Sequence, residues 1–444
     1  MLVASLIFAK SLCVTLVNKE ERPLKFFGMN MNTKTPLLSF DEALSHLREL
    51  GHCKVTAEET SLYEAYGRVL AEDIIATCDL PRLDNSAMDG YAISLSDDQS
   101  DETAFPVVME IYAGSMPEAP LKPGEAARIF TGAPVPEGAN FVVPQEDCRV
   151  TETGGRRAVV VSRTYAAGCN IRRKSEDQRK GMPIVSAGTI LRPQEIAAAA
   201  SIGHGTLKTY RRLKVGVFST GNELIRPGTT HKDGQIFDAN HFLLRGMLAN
   251  LPVELVDLGI LADQCEAVEA ALEAASAECD VILTSGGAGS GDKDFVSATL
   301  SKLGKTSFWH LAVKPGRPFM VGELPNCVFI GLPGNPVAAT VAFAFLARPL
   351  IEALAGSGFK TAPRQYIRAD FEIANRKMGR REFLRGRRVV ENGALKLTKY
   401  HSDGSALLSS LTFADGFIEL KEDVATVSKG DLVPFISFAE IGLS

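Results

Sequence analysis

Residues 284–294 (TSGGAGSGDKD) combine four glycines with two aspartates directly after the apolar run 281–283. Glycines that follow a strand let the backbone come close to a ligand such as a phosphate. Asp292 and Asp294 would repel a phosphate unless a divalent cation lay between them. Mg²⁺ is suitable because it binds one or two carboxylates together with phosphate oxygens and water. The segment therefore predicts an Mg²⁺-dependent phosphate site; helix capping by either aspartate is the alternative.

Two more loops of unusual composition follow apolar runs. Residues 213–218 lead into Ser219-Thr220-Gly221-Asn222-Glu223, and residues 327–330 lead into Gly331-Leu332-Pro333-Gly334-Asn335-Pro336. Ligands bind beyond the carboxyl ends of strands in open α/β sheets, so three such loops predict one shared cleft. In that cleft Glu223 would help to hold the cation. A tight turn would explain any one of the loops by itself.

The third loop also predicts the start of a helix. Asn335 suits the N-cap, and Pro336 suits the first helical position. Unpaired N–H groups at such a start can bind an anion without a charged side chain. An ordinary helix start is the alternative.

Positive charge lies in residues 313–318 (VKPGRP), where prolines stiffen the turn that carries Lys314 and Arg317. Two solvated surface charges are the alternative. Farther along, Arg385 and Ser405 would together suit a small tetrahedral oxyanion, because a guanidinium offers a fork of N–H donors. The chain has no Walker A motif, and no GxGxxG fingerprint opens the first helix of the α/β region.

Three segments of the first half mix polar and apolar residues without periodicity. They are 80–92, which contains Asp89; 129–134, which contains Thr131; and 170–177, a charge run that ends at Asp177. A buried turn explains part of the first segment, and a solvated face explains the charge run. The three cations of that run would also suit an anion.

The elements that position these residues divide the chain into five parts. Short apolar runs between Pro/Gly turns predict strands, and apolar spacing at positions 40–50, with Ser39 as N-cap, predicts a helix. The expected architecture is multidomain α/β and β. Its parts are an N-terminal extension (1–35) expected to be disordered, a mainly helical domain (36–80 and 176–208), an inserted β domain (81–175), a doubly wound α/β domain with a largely parallel sheet (209–355), and a C-terminal β barrel or sandwich (364–444).

Composition excludes several classes of protein. A net charge of −5 gives no global signal for nucleic acid or a membrane surface. The eight cysteines form no CxxC pair, so we expect neither a zinc site nor a disulfide framework. Residues 1–17 are apolar, but Lys10 interrupts them, unlike in a signal peptide, and Met29 or Met31 could be the true start. We therefore expect a cytoplasmic protein.

Seven segments, in order, make the chain resemble the molybdopterin molybdenumtransferases of molybdenum cofactor biosynthesis, which are related to the E domain of gephyrin. REFLRG (381–386) and Gly404-Ser405 extend the resemblance to the last domain. The chain departs from the family where SGGVS is usual, because it has Gly289 followed by Ser290. The seven segments are LDNSAMDGYA (83–92), IFTGAPVPEGA (129–139), NIRRKSED (170–177), STGNEL (219–224), SGGAGSGDKD (285–294), VKPGRP (313–318) and LPGNPVA (332–338).

The resemblance implies a role for each matching residue. Catalytic roles are implied for Asp294, Glu223, Asp263, Lys314, Asp89, Thr131 and Asp177. Substrate binding is implied for Ser219, Thr220, Gly221, Ser285, Gly286, Gly287, Asp292, Arg317, Pro333, Gly334, Asn335, Pro336, Arg385 and Ser405. Metal binding is implied for Glu223, Asp292 and Asp294. Asp89, Thr131 and Asp177 would reach the cleft of a partner subunit.

The implied activity is insertion of molybdate into adenylylated molybdopterin with release of AMP, and Mg²⁺ is the implied cofactor. The molybdopterin-binding-like α/β domain would hold the substrate, and the helical domain would form a homodimer. A molybdopterin adenylyltransferase is an expected partner, whereas nucleic acid and membrane are not. The alternatives are a molybdopterin adenylyltransferase and a non-catalytic, gephyrin-like scaffold.

Overall fold

The computed structural model describes residues 37–95, 103–153, 155–163, 165–287 and 295–443. The predicted N-terminal extension lies outside the described residues. So do Asp292 and Asp294, and so do Gly289 and Ser290, where the chain departs from the family pattern.

Helix α1 (Phe40–Leu50) opens the described chain, and the prediction of Ser39 as its N-cap is confirmed. The Ser39 Oγ accepts from the Glu42 N–H at 3.2 Å, and a Glu42 carboxylate oxygen accepts from the Ser39 N–H at 2.9 Å. This reciprocal capping box satisfies two N–H groups that the helix itself cannot pair. The strands that follow are β1 (Ala57–Ser61), β2 (Val69–Leu70) and β3 (Ile74–Ile75).

The inserted β region contains a six-stranded sheet in the order β8-β5-β7-β6-β10-β9 and a separate pair, β4 with β11. A 3₁₀ turn, Gln145–Asp147, follows the strand that ends at Pro144. The strands are β4 (Asn85–Ser86), β5 (Gly90–Ile93), β6 (Ala104–Ile111), β7 (Ala126–Ile129), β8 (Phe141–Pro144), β9 (Cys148–Thr153), β10 (Arg156–Val161) and β11 (Ile171–Arg172).

The chain then returns to its first segment through β12 (Pro183–Val185), α2 (Pro193–Ser201) and β13 (Thr206–Tyr210). The prediction that 36–80 and 176–208 are mainly helical is wrong, because each segment contains one helix and otherwise short strands. β13 pairs with β1 and β2, and β12 pairs with β3. The buried hydroxyls of Thr60 and Thr209 are 2.7 Å apart in this sheet. Such pairing between distant segments decides strand formation and leaves little local signal.

The α/β region has a six-stranded sheet in the order β17-β14-β18-β22-β21-β19. The first four strands in this order are parallel to one another. β21 is antiparallel to β22, and β19 is antiparallel to β21. The elements are β14 (Leu213–Thr220), β15 (Leu224–Ile225), β16 (Ile236–Phe237), α3 (Ala239–Ala249), β17 (Val253–Leu261), α4 (Cys265–Glu278), β18 (Val281–Ser285), α5 (Phe295–Leu303), β19 (Lys305–His310), β20 (Val313–Lys314), β21 (Pro318–Glu323), β22 (Val328–Leu332), α6 (Pro336–Ala342) and α7 (Arg348–Leu354).

A π-helical turn, Phe343–Ala347, joins α6 to α7. The continuous stretch Pro336–Leu354 is the one described helix that is long and apolar enough to cross a membrane, yet it is 94% buried inside the protein. Its apolar composition is therefore explained by its position in the core.

The C-terminal region is a closed barrel. β24 is long enough to pair with β25 through its second half and with β26 through its first half, which closes the ring. β20 from the α/β region adds to β24 in parallel. Asn392 and Gly393 both have positive φ in the two-residue turn between β24 and β25. The elements are β23 (Gln365–Ala369), β24 (Arg381–Glu391), β25 (Ala394–Lys399), α8 (Leu408–Phe413), β26 (Gly416–Leu420), β27 (Leu432–Ser437) and a 3₁₀ turn, Phe438–Ile441.

One hydrophobic core joins α1, the α/β sheet and the barrel. Phe383 of the barrel stacks on Phe345 with ring centroids 4.3 Å apart and lies 5.6 Å from Phe40 of α1. All three rings are buried. This shared core fixes the barrel against the sheet edge that carries the candidate site.

Asp280, just before β18, connects the linker after β13 to the sheet. Its carboxylate accepts from Arg211 at 2.7 and 2.8 Å and from the Lys214 N–H at 2.8 Å. Burial by itself raises the pKa of Asp280, but these donors outweigh burial and hold that pKa below its usual value. A depressed folded pKa contributes stability above the unfolded pKa, about 3.9, and that contribution is lost as the pH falls through the folded pKa.

We therefore expect Asp280→Asn to lower the free energy of unfolding at pH 7 by about 1–2 kcal/mol, since hydrogen bonds to a charged group are lost. The difference from wild type should shrink as the pH approaches 3. Urea unfolding between pH 7 and pH 3 measures it, with the exposed Asp233→Asn as the control. A difference that does not change with pH would contradict the role given to the charge.

Candidate active site

The three predicted loops leave the sheet at one edge. β14, β18 and β22 are neighbouring parallel strands. Ser219 is opposite Ser285, and Ser285 is opposite Leu332. The loops that begin at Gly221, Gly286 and Pro333 therefore start side by side, as the sequence predicted.

Short contacts hold these loops together. The Gly286 N–H donates to the Leu332 carbonyl at 3.1 Å. A Cβ added to Gly287, where φ is +65°, would lie 2.9 Å from Val296 Cγ2 and 3.0 Å from Thr220 Cγ2. A side chain at position 287 would clash with the loop beside it and strain the backbone. This glycine is needed for the approach of the two loops.

Side chains with oxygen atoms that suit a cation lie at the same edge of the sheet. The Glu223 carboxylate folds over Gly221, so that a Cβ on Gly221 would be 2.8 Å from both carboxylate oxygens. Thr220 Oγ1 is buried and has no hydrogen-bond partner among the described residues. Asp263 lies two residues after β17, next to β14 in the sheet. Carboxylate and hydroxyl oxygens suit Mg²⁺.

The described residues contain no group of three or more His, Cys, Asp or Glu side chains that could hold a metal ion. Glu223 is the one predicted metal ligand within them, because Asp292 and Asp294 lie outside. The oxygen atoms of Glu223 and Thr220 are of the kind that Mg²⁺ binds.

The turn Pro333–Pro336 is held from two sides. Asn240 at the start of α3 donates to the Gly334 carbonyl at 2.6 Å. Asn335 occupies the N-cap of α6, but its side chain does not cap that helix. It donates instead to Ser405 Oγ at 3.1 Å. The prediction that Asn335 occupies the N-cap is thus confirmed in position, while its amide connects the turn to the barrel.

Lys314 and Ser405 both lie at this junction between the sheet and the barrel. The Lys314 ammonium is 2.5 Å from Glu382 and 3.6 Å from Asp403, and its side chain is 43% exposed. The Val337 N–H donates to the Ser405 carbonyl at 3.1 Å. Arg317 is exposed in the same turn as Lys314. A Cβ on Gly316 would lie 3.3 Å from the Ala338 carbonyl, so the turn packs against the start of α6.

Arg385 lies beneath the loop 402–405. It is only 2% exposed, and burial lowers the pKa of its guanidinium. It donates to the Ser402 carbonyl at 2.7 Å, to the Gly404 carbonyl at 3.2 Å and to Ser410 Oγ at 3.0 Å. These bonds fix the loop that carries Ser405.

A second polar cluster lies in the inserted β region. Asp89 Oδ1 accepts from the Thr131 N–H at 2.8 Å and from its hydroxyl at 2.7 Å. These two hydrogen bonds hold the pKa of Asp89 below its usual value. Asp177 is exposed beside Arg172 and Asn85 in a cleft of about 490 Å³. The Ser86 N–H donates to the Ala133 carbonyl at 2.9 Å and connects the segments around Asp89 and Thr131.

The two clusters are built on different sheets. Among the described residues, no hydrogen bond or ion pair joins Asp89, Thr131 or Asp177 to the edge that carries Glu223 and Lys314. The structure therefore joins the α/β region to the barrel through Asn335 with Ser405 and Lys314 with Asp403. Asp89, Thr131 and Asp177 take no part in these contacts.

Proteins of known name are similar to this chain over most of its length. A molybdopterin molybdenumtransferase from Haemophilus influenzae is 38% identical over 403 residues, which are 90% of this chain and 99% of that protein. One from Bacillus subtilis is 30% identical over 420 residues, 92% of this chain and 96% of that protein. The chain belongs to the molybdopterin molybdenumtransferase family.

Family models match three parts of this family member. They are the MoeA N-terminal region (domain I and II) at 38–203, a probable molybdopterin binding domain at 216–353, and the MoeA C-terminal region (domain IV) at 368–438. The molybdopterin biosynthesis MoeA protein from Pyrococcus horikoshii OT3 has a TM-score of 0.75 and 29% identity, covering 90% of this chain and all of that one. The multidomain α/β and β fold expected from the resemblance is confirmed.

The structure of this molybdenumtransferase family member adds residues that the sequence prediction did not assign to the site. Asn240 holds the Gly334 carbonyl, and Glu382 and Asp403 pair with Lys314. A polar residue at the start of a predicted helix was the available signal for Asn240. The partners of Lys314 are 68 and 89 positions later in the chain, and no local pattern indicates them.

Proposed function

We propose that this chain inserts molybdate into adenylylated molybdopterin and releases AMP. The convergence of loops from β14, β18 and β22 with the Lys314 turn and the barrel loop 402–405 carries the proposal. These loops come from two parts of the chain and would surround one hollow, the proposed substrate site. A phosphate-linked pterin and an oxyanion both need binding groups there.

The glycine-rich edge would bind the phosphates of the substrate. Its backbone can come close to a ligand at Gly286 and Gly287, where a Cβ would meet Thr220. Glu223, with Asp292 and Asp294, would hold Mg²⁺, and Asp263 adds a further acid at this edge. When bound, Mg²⁺ neutralises phosphate charge and polarises the bond that is cut.

Molybdate would bind on the barrel side of the hollow. Lys314 supplies a partly exposed ammonium 3.6 Å from Asp403, and Ser405, two residues after Asp403, supplies a hydroxyl. Arg385 acts there by holding the loop of Ser405 in place, since its described hydrogen bonds go to that loop and to Ser410. Held in this way, the oxyanion can be presented to the dithiolene sulfurs of the pterin.

A homodimer would complete the site. Asp89 and Thr131 are hydrogen-bonded to each other away from the α/β sheet, Asp177 follows β11, and all three side chains are exposed to solvent. In a homodimer, these three residues would face the hollow of the partner subunit. A molybdopterin adenylyltransferase would deliver the substrate, and the working compartment would be the cytoplasm.

One incubation separates the proposed activity from its alternatives. The purified full chain is mixed with Mg²⁺, molybdate and adenylylated molybdopterin, and separately with ATP and molybdopterin. Release of AMP in the first mixture supports the proposal. Transfer of AMP to the pterin in the second mixture would indicate an adenylyltransferase, and inactivity in both would favour a scaffold.

We expect Ser405→Ala to raise the molybdate concentration that gives half-maximal AMP release about tenfold, because one charge-assisted hydrogen bond to the oxyanion is lost. Arg385→Ala should act in the same direction through the loop. A titration of molybdate at fixed substrate measures the effect. Ser428→Ala, at an exposed position of the same barrel, is the control. An unchanged molybdate response in both variants would remove this loop from the oxyanion site.

A further inference from the structure

One face of the six-stranded sheet in the inserted region carries a row of aromatic and charged side chains. Tyr91 is opposite Arg128, and Ile111 is opposite Ile129. Alternation along the strands therefore places Arg128 and Phe130 on the same face as Tyr91, with Tyr112 beside Phe130.

The rings and the guanidinium on this face are in contact. Tyr112 and Phe130 are stacked, with centroids 4.7 Å apart and planes 11° from parallel. The Arg128 guanidinium lies 4.6 Å from the centroid of Phe130 and 5.1 Å from that of Tyr91. Tyr112 ends the row at the surface and is 52% exposed. We call Tyr112 and Phe130 the aromatic shelf.

Polar contacts fix this arrangement before any ligand arrives. Arg128 donates to the Gly90 carbonyl at 3.0 Å and to Gln145 Oε1 at 2.8 Å. The Tyr112 hydroxyl donates to Glu110 at 2.9 Å. A held ring loses little conformational entropy when it stacks on a ligand, which favours binding.

A hydrogen-bonding group stands next to the shelf. Thr131 directly follows Phe130, and both of its donors go to Asp89 Oδ1. No hydrogen bond among the described residues uses Asp89 Oδ2, and the side chain is exposed. A carboxylate whose one oxygen is committed keeps the other as an acceptor for N–H groups of a ligand.

We propose that the aromatic shelf and Asp89 bind the pterin ring of the substrate. The ring would stack on Tyr112 while its edge donates to Asp89 Oδ2. A 2-amino-4-oxopterin suits this site because its amino group and ring N–H are adjacent donors. The edge of adenine instead has an amino donor next to an acceptor nitrogen, and a carboxylate oxygen would repel that nitrogen. The inference rests on the proposed function, because that function supplies the pterin.

The test uses AMP release by the full chain in wild type, Tyr112→Ala and Tyr112→Phe. Loss of one ring–heterocycle stack should raise the KM for adenylylated molybdopterin about tenfold in Tyr112→Ala, with kcat within about twofold of wild type. Tyr112→Phe keeps the stack and should match wild type. Tyr366→Ala, at a tyrosine on the barrel that is 65% exposed, is the matched control.

The outcomes separate the shelf from its alternatives. If Tyr112→Ala keeps the wild-type KM but has a lowered melting temperature, the inference is overturned. Tyr112 and Phe130 would then be a cross-strand pair that only stabilises the sheet. A weaker inhibition by AMP in Tyr112→Ala would show that adenine occupies the shelf, which also overturns it. An unchanged inhibition constant for AMP beside the raised KM supports the pterin.

A failure of the proposed function is recognised separately. If wild type releases no AMP, free 2-amino-4-oxopteridine is titrated and its fluorescence is followed. Binding by wild type and Tyr112→Phe that is lost in Tyr112→Ala supports the shelf without the catalytic reaction. Equal titrations, or no binding by any of the three proteins, would overturn it.

Discussion

Replacement of Glu223 by glutamine is expected to lower AMP release at least about 100-fold and to raise the Mg²⁺ concentration that the reaction needs. The substitution preserves shape and removes one negative charge from the edge where β14 ends. Loss of a residue that hydrogen-bonds to a metal ligand already costs about 10- to 100-fold in metal affinity or activity. Loss of the ligand itself should cost more. Initial rates over a series of Mg²⁺ concentrations measure both effects.

Two companion variants make this result specific. Asp294→Asn should show the same Mg²⁺ dependence, because the proposal gives both acids to one cation. Glu254→Gln changes an exposed glutamate at the opposite end of the same sheet and should behave as wild type. If Glu223→Gln keeps both its rate and its Mg²⁺ response, the cation is held elsewhere.

Replacement of Arg381 by alanine is expected to destabilise the protein by about 1.5–3 kcal/mol, the usual cost of losing hydrogen bonds between charged groups. The guanidinium binds Asp41 at 2.9 Å, Glu422 at 3.1 Å and the buried Glu419 at 3.4 Å. It connects the first described helix to the barrel across 340 positions of the chain. Its loss would leave Glu419 with Arg364, 2.8 Å away, as its partner, and Asp41, which is 73% exposed, would turn to water.

Urea denaturation of the full chain measures this change. Lys377→Ala removes an exposed cation from the loop before β24 and should lie within about 0.5 kcal/mol of wild type, as is usual for surface changes. A loss below about 1 kcal/mol for Arg381→Ala would mean that the carboxylates find other partners or water.

The sequence predicted best where local chemistry and local structure agree. Ser39 is the N-cap of α1, as the apolar spacing at 40–50 and the residue before it predicted. The prediction failed where strands pair with distant segments. β1 pairs with β13, about 150 residues later, so its residues carry no helical or strand pattern strong enough to read. The same reason explains why no local pattern indicates β20, because β20 pairs with β24 of the barrel.

The same distinction applies to the site. The loops after β14, β18 and β22 could be predicted as neighbours, because glycines and acids follow three apolar runs and parallel strands end at one edge. The role of Arg385 could not be predicted. An arginine near a serine indicates an anion site, whereas its burial under Ser402 and Gly404 depends on how the barrel closes.

By itself, the sequence predicted which residues could carry the chemistry and which strand ends present them, because residue types and short-range spacing are local properties. Only the tertiary structure decided that Lys314 pairs with Glu382 and Asp403 and that Asn335 reaches Ser405. It also decided that Asp89 and Thr131 bind each other and make none of these contacts. Those contacts join segments tens of residues apart. Their geometry is set by the packing of the shared core and the closure of the barrel, which no short stretch of sequence encodes.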